Sequence, residues 1–301
     1  MRVADPSHSP LVTDDHPTGV LGFRYLFTGA TGTPESYMMQ VAKNLGHFEM
    51  ITHRHNFDQF RYVIKGQMNL GRGRVIREGE LCYFPEGTSY GPQDDPAGPI
   101  ALVLQFGGSS GYGYMSPEQY RKGRSALRET GEFKGPVYYR PLADGKVDKE
   151  LSINAIWRQA MGQRMQIPAP RYDDVIIMKP KAFRWVPVKG QAGAFRKKLG
   201  SFTERGTTAE MIRIEAGMRY VLQTQPAYRL CFVLSGGGQA EGQSLREHFG
   251  IEVLPDEAAC ITAHQTIEML VFTLPLLEED ILEPQLPSTE PLPGESVPAD
   301  A

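Results

Sequence analysis

Short runs of alternating apolar and polar residues, broken by glycine, proline and asparagine, recur through most of the chain. Such period-two alternation is the signature of a half-buried β-strand. Between residues 22 and 106 the runs SYMMQVA, HFEMITHRH, FRYVIKG, GELCYFP and IALVLQF read as strands. Between 175 and 273 the runs AEMIRIEAG, YRLCFVLSG and MLVFTLP read the same way. Many short strands at regular spacing predict a sandwich or barrel in each region. Two stretches between them carry helix signals instead. In SPEQYRKGRSALRE, Ser116 offers an N-cap and Pro117 a first helical position. In DKELSINAIWRQAM, apolar Leu151, Ile153, Ile156, Trp157 and Ala160 recur with a partly helical period. Both helices are expected to brace the two β regions.

The flanks read differently. Residues 1–19 are rich in Pro, Ser, Asp and His, and residues 282–301 form an acidic, proline-rich tail. Neither can build a core, and both are expected to be disordered. The chain has 301 residues, 41% apolar and 22% charged, which suits a soluble globular protein with a core in each β region. The net charge of -3 is uneven: seven acidic residues lie from Leu276 onward without a Lys or Arg, so the remainder carries about +4. That bias is too weak for a nucleic-acid partner, and no basic stripe interleaved with aromatics supports one. Cys82, Cys231 and Cys260 sit in apolar runs at no zinc-like spacing and are expected to be buried, reduced thiols. The first residues contain no apolar signal-peptide core, and no apolar run is long enough to span a membrane. A cytoplasmic protein without a membrane partner is therefore expected.

The chain repeats itself. From His53 the pattern is H-x-H, three residues, Gln59, six residues, Gly66; then Gly79, five residues, Pro85, x, Gly87, two residues, Tyr90. From Gly217 the same frame returns: five residues, Gln223, x, Gln225, three residues, Arg229, six residues, Gly236. In DEAACITAHQTI, Thr262, His264 and Ile267 then stand for Pro85, Gly87 and Tyr90. Equal spacing with substituted polar residues means two copies of one unit, one of which has lost its site.

This spacing resembles the cupin superfamily, whose motifs are G(X)5HXH(X)3-4E(X)6G and G(X)5PXG(X)2H(X)3N. His53, His55 and Gly66 match the first; Gly79, Pro85 and Gly87 match the second. Gln59 stands where the family usually has Glu, and Tyr90 where it usually has a third His. The resemblance implies an all-β protein of two tandem double-stranded β-helix (jelly-roll) barrels with a short helical connector. The expected layout is a first barrel over 20–110 with the candidate metal site, a connector over 111–170, and a degenerate, metal-free barrel over 171–281. It also implies a homodimer, since related proteins often pair through edge strands.

On an extended strand, residues i and i+2 share a face, so His53 and His55 are expected to point into the barrel, with Gln59 reaching the same centre. Two imidazoles and an amide oxygen suit one divalent transition metal: Fe, Mn, Ni, Cu or Zn. Because Gln is neutral, the site would keep the metal's full 2+ charge and favour a small anionic organic substrate. Tyr90 is expected to donate a proton or anchor substrate, with phenolate coordination as the alternative. Arg61 and Gln105 lie on predicted strands and are candidate substrate-binding residues. His47 is expected at the rim or surface, and the Gly-rich run 108–115 as a loop or lid. A metal-dependent enzyme of dioxygenase type follows, with a lyase or isomerase, or a metal-free small-molecule-binding barrel, as alternatives.

Overall fold

Two β-barrels lie back to back around a shared apolar interface. The computed structural model describes residues 1–277 apart from 17, 18, 34 and 136. The larger sheet of the first barrel runs in the order Ile176–Met178, Leu81–Phe84, Phe57–Lys65, Ile100–Gly107, Tyr37–Met50, Gly19–Thr28 and Val12–His16. Gln93–Asp95 pairs with Tyr37–Met50 at the side. The hairpin of Gln67–Gly71 and Arg74–Arg77 stands apart from it. The second barrel has a seven-stranded sheet and a four-stranded sheet, the latter built on Arg219–Leu222 and Ala259–Ala263. The architecture is the all-β, two-barrel one that the repeat predicts.

Alternation explains how one strand serves two cores. In Phe57–Lys65, Phe60 points between the barrels, where its ring stacks on Phe272 at 4.9 Å and meets Phe202 at 5.3 Å. Val63, of opposite parity, is buried inside the first barrel with Leu70, Ile76, Cys82 and Val103. Gln59 and Arg61 share the parity of Val63 and therefore face the interior.

Several expectations are corrected. SYMMQVA and HFEMITHRH are not two strands: Tyr37–Met50 is one continuous strand, because Gly46 sits in it without a turn. The amino-terminal segment is ordered where described. Arg2–Ala4 pairs with Gly250–Val253, at the edge of the second barrel, and Val12–His16 pairs with Gly19–Thr28. Arg2 pairs with the buried Glu252, which also accepts from the Tyr37 hydroxyl of the first barrel. Polar composition hid this, because an edge strand needs only backbone partners and one buried ion pair. Conversely, Ile176–Met178, assigned by sequence to the second barrel, pairs with Leu81–Phe84 of the first. Each barrel thus lends a strand to the other's edge, which leaves less exposed edge for pairing with other chains.

The connector is richer than two helices. Helix α1 (Pro117–Leu127) starts as expected, with Ser116 and Gln119 in a reciprocal capping box. Helix α2 (Ser152–Met161) starts later than the apolar pattern implied, because Leu151 ends the strand Val147–Leu151 of a three-stranded sheet. Cys82 and Cys231 are buried and free, whereas alternation along Ala259–Ala263 leaves Cys260 half-exposed. Among the described residues, no helix is long and apolar enough to cross a membrane. The tail 282–301 lies outside the described residues.

Candidate functional site

His53 and His55 follow the strand Tyr37–Met50 rather than lying in it, so the expected regular strand over THRH is absent. A different device aligns them. His53 exchanges both backbone hydrogen bonds with Tyr90, at 3.1 and 3.0 Å, and the His55 carbonyl accepts from the Gly87 amide at 2.8 Å. The Pro-x-Gly loop is thereby fastened to the H-x-H segment. Gly87 has φ +77°, and a Cβ there would lie 2.3 Å from the Pro168 carbonyl oxygen, so the turn requires glycine. The imidazoles meet edge-on with centroids 4.9 Å apart, and Tyr90 lies 4.4 Å from His53.

The polar groups converge on the Tyr90 hydroxyl. Gln59 Nε2 donates to it at 2.9 Å and Arg61 Nη2 at 3.2 Å. His55 Nε2 lies 3.0 Å away. With two donors already arriving, the phenol gives its own proton to His55 Nε2, which fills its hydrogen-bonding capacity. Arg61 Nε also donates to Gln59 Oε1 at 3.0 Å, and its guanidinium stacks 4.5 Å above the Phe84 ring. No hydrogen bond from Arg61 Nη1 is found among the described residues. Gln105 stands directly opposite Gln59 in the sheet, and its Oε1 accepts from the Tyr114 hydroxyl at 2.8 Å.

Electrostatics keep this cluster neutral except for Arg61. Burial pushes His53 down to about 4. Burial, then the charges of His53 and Arg61, hold His55 well below the usual imidazole range. Burial raises Tyr90, against the opposing pull of Arg61, so the phenol stays protonated. Asp95, buried in the Gln93–Asp95 strand, is the carboxylate that feels Arg61, and burial still raises it. No hydrogen bond joins the two.

The donor set suits a divalent ion in type. His53 Nδ1 lies 2.8 Å from the Ile51 carbonyl, which can only accept. The proton is therefore on Nδ1, leaving Nε2 bare, which is the arrangement a ligating imidazole needs. His55 Nε2 and Gln59 Oε1 would each exchange one present partner, Tyr90 or Arg61, for the metal. The charge is left unbalanced, because the three donors are neutral and a guanidinium stands beside them.

His47 lies outside this cluster. On the outer surface His47, Glu49 and Asp94 bring three ligand-type atoms within 4.8 Å of one another, and His47 Nε2 pairs with Asp94 at 2.6 Å. All three are exposed. Sequence reasoning missed the support behind the site. Asp58 and Glu86, both fully buried, flank Gln59 and Pro85. Asp58 Oδ1 accepts from the Glu86 amide at 2.7 Å, and Glu86 accepts from Ser110 and Arg171. Ser110 belongs to the Gly-rich run 108–115, so that loop is held in place rather than free. A carboxylate next to a motif glycine, predicted by nothing in the repeat, was the only available signal.

In the second barrel the corresponding positions hold other chemistry. Arg229 is 3% exposed and donates to the Gln223 and Glu257 carbonyls at 2.5 Å each. Ile267 is buried among Ile212, Ile214, Ile261 and Met269. The arginine ties down two loops where the first barrel carries Gln59.

No protein-family model matches the sequence, and no curated protein does. Solved structures do match in fold. A candidate dioxygenase from Nostoc punctiforme aligns with TM-score 0.60 and 13% identity, over 96% of this chain and 87% of that one. Streptomyces albus HEPD, with 2-hydroxyethylphosphonate and Fe(II) bound, aligns with TM-score 0.53 and 15% identity, over 91% and 76%. The Escherichia coli pirin YhhW, in complex with nickel(II), aligns with TM-score 0.51 and 13% identity, over 92% and 99%. At such identities the likeness concerns the fold. Two tandem motif copies, two barrels back to back and these structural neighbours give the chain the two-barrel cupin fold.

Proposed function

We propose that the first barrel is a metal-dependent enzyme site for a small organic anion, with a dioxygenase-type reaction. The observation that supports this best is the convergence of His55, Gln59 and Arg61 on the Tyr90 hydroxyl, with the His53 ring against the Tyr90 ring. His53, His55 and Gln59 would hold one divalent ion, which supplies Lewis-acid or oxygen-activating chemistry when bound. Arg61 binds the anion through its unused Nη1 donors, as a planar guanidinium suits a carboxylate or phosphonate. Tyr90, protonated and buried, holds or delivers a proton at its hydroxyl. The Phe57 ring, 4.4 Å from His55 and 5.2 Å from Tyr114, gives the cluster an apolar side. Gln105, oriented by Tyr114, offers substrate a further polar contact.

A second reading rests on Arg61 itself. A guanidinium held by Gln59 Oε1 and the Tyr90 hydroxyl, with Nη1 outside those bonds, can bind an anion without a metal. Metal content separates the two readings. The purified protein and a His53→Ala/His55→Ala double variant are reconstituted with Fe(II), Mn(II), Ni(II) or Zn(II). Stoichiometric metal in the parent and none in the variant supports the enzyme. Metal in neither sinks it and leaves an anion-binding barrel.

A further inference from the structure

Gln40 is 5% exposed, and its carboxamide Oε1 has no hydrogen-bond partner. It faces the inside of the first barrel. Its neighbours of the same parity show this: the Met38 thioether meets the Tyr114 hydroxyl, and Ala42 packs on the barrel core. Register then fixes its relation to Arg61. On the central strand Ile100–Gly107, Val103 stands opposite Gln40 on one side and opposite Arg61 on the other. Gln40, Val103 and Arg61 therefore form one row across three strands, with the outer two Cα atoms about 10 Å apart. Both outer side chains are long, so a molecule of three or four carbons spans the gap.

From this row, and resting on the reading of the barrel as an anion site, we infer that Gln40 recognises a hydroxyl on the bound organic acid. The substrate class is a hydroxy acid, its acid group on Arg61 and its hydroxyl on the Gln40 amide. Two arguments select a hydroxyl. A buried amide end without a partner costs stability in the free protein and regains it when a ligand supplies the missing group. A hydroxyl both donates and accepts, so it satisfies the amide in either orientation. A site that leaves a polar group unpaired also rejects the analogue lacking that hydroxyl, which makes Gln40 a specificity residue.

The test uses matched acids that differ by one hydroxyl, malate against succinate and lactate against propionate. Binding to the intact chain is followed by calorimetry for the parent, Gln40→Leu and Arg61→Met. The parent is expected to bind each hydroxy acid about tenfold more tightly, the equivalent of one neutral hydrogen bond. Gln40→Leu should bind both members of a pair equally, with the unhydroxylated acid unaffected, and Arg61→Met should bind neither. Equal binding of both members by the parent, abolished in Arg61→Met, overturns the role of Gln40 and leaves the anion site standing. Binding of no acid by the parent, or binding that survives Arg61→Met, overturns the anion site and this inference with it. A melting temperature independently checks the amide. Gln40→Leu should melt no lower than the parent, since an unpartnered amide gives way to an apolar group of similar size; a clear drop would show that Gln40 is bonded within the protein and would overturn the inference.

Discussion

Arg61 Nε donates to Gln59 Oε1 at 3.0 Å, two residues away on the same inward face of one strand. A carboxylate at position 59 would turn this contact into an ion pair and give the site a negative ligand. The amide instead leaves the guanidinium free to attract an anion, while the same oxygen is the proposed third metal ligand. Anion and metal then support one another, because each relieves the charge the other leaves unbalanced.

Arg61→Met should therefore strengthen metal binding and weaken anion binding. Removing one positive charge about 5 Å from a divalent ion, at an effective dielectric constant near 20, corresponds to a bare Coulomb energy of about 7 kcal/mol, an upper bound that solvent and side-chain rearrangement reduce. An increase of one to two orders of magnitude in Zn(II) affinity is expected in a competitive chelator titration. Unchanged affinity would place the metal, if any, away from Arg61.

Tyr90→Phe removes the hydroxyl on which Gln59, Arg61 and His55 converge. Gln59 is fully buried, so its Nε2 would lose its partner without gaining water. A loss of about 1–3 kcal/mol in denaturant unfolding is expected. Retained metal with abolished turnover would support the proton or anchoring role. Loss of metal would instead make the phenol a ligand.

Arg171 joins the barrels by donating to Glu86 at 2.5 Å and to Glu204 at 2.6 Å. The two partners differ in burial, with Glu86 at 1% and Glu204 at 54% side-chain exposure. Arg171→Met should cost about 3 kcal/mol, because it strands a buried carboxylate. Glu204→Gln should cost less than about 1 kcal/mol, since an exposed pair is screened by solvent. Chemical denaturation of the two variants checks the contrast, and equal losses would refute it.

Burial, then the Glu86 charge, pushes the Asp58 carboxyl up to about 8. The unfolded chain would titrate near 4. Between those values the folded state holds a proton that the unfolded state has lost, so stability falls as pH rises from about 4 to about 8. Asp58→Asn should flatten that decline and leave the protein more stable than the parent at pH 8. Melting temperatures across that range give the answer; parallel curves for parent and variant would rule out Asp58 as the titrating group.

The sequence by itself determined the architecture. Period-two alternation marked the strands, and the paired spacing of His53, His55, Gln59 and Gly66 with Gln223, Gln225, Arg229 and Gly236 marked two barrels. Both signals are local, since side-chain parity and turn glycines act within a few residues. The residues it grouped, His53, His55, Gln59, Arg61 and Tyr90, are neighbours in the structure, although the regular strand invoked to align the histidines is replaced by the bridge between His53 and Tyr90. Only the tertiary structure decided what those residues bond to. That Gln40 shares a row with Arg61 through Val103, and that Asp58 and Glu86 support the site from behind, both depend on contacts between segments distant in the chain. The exchange of edge strands was hidden for the same reason. Arg2–Ala4 finds its partner some 250 residues away, and backbone hydrogen bonding between distant strands leaves no mark on local composition.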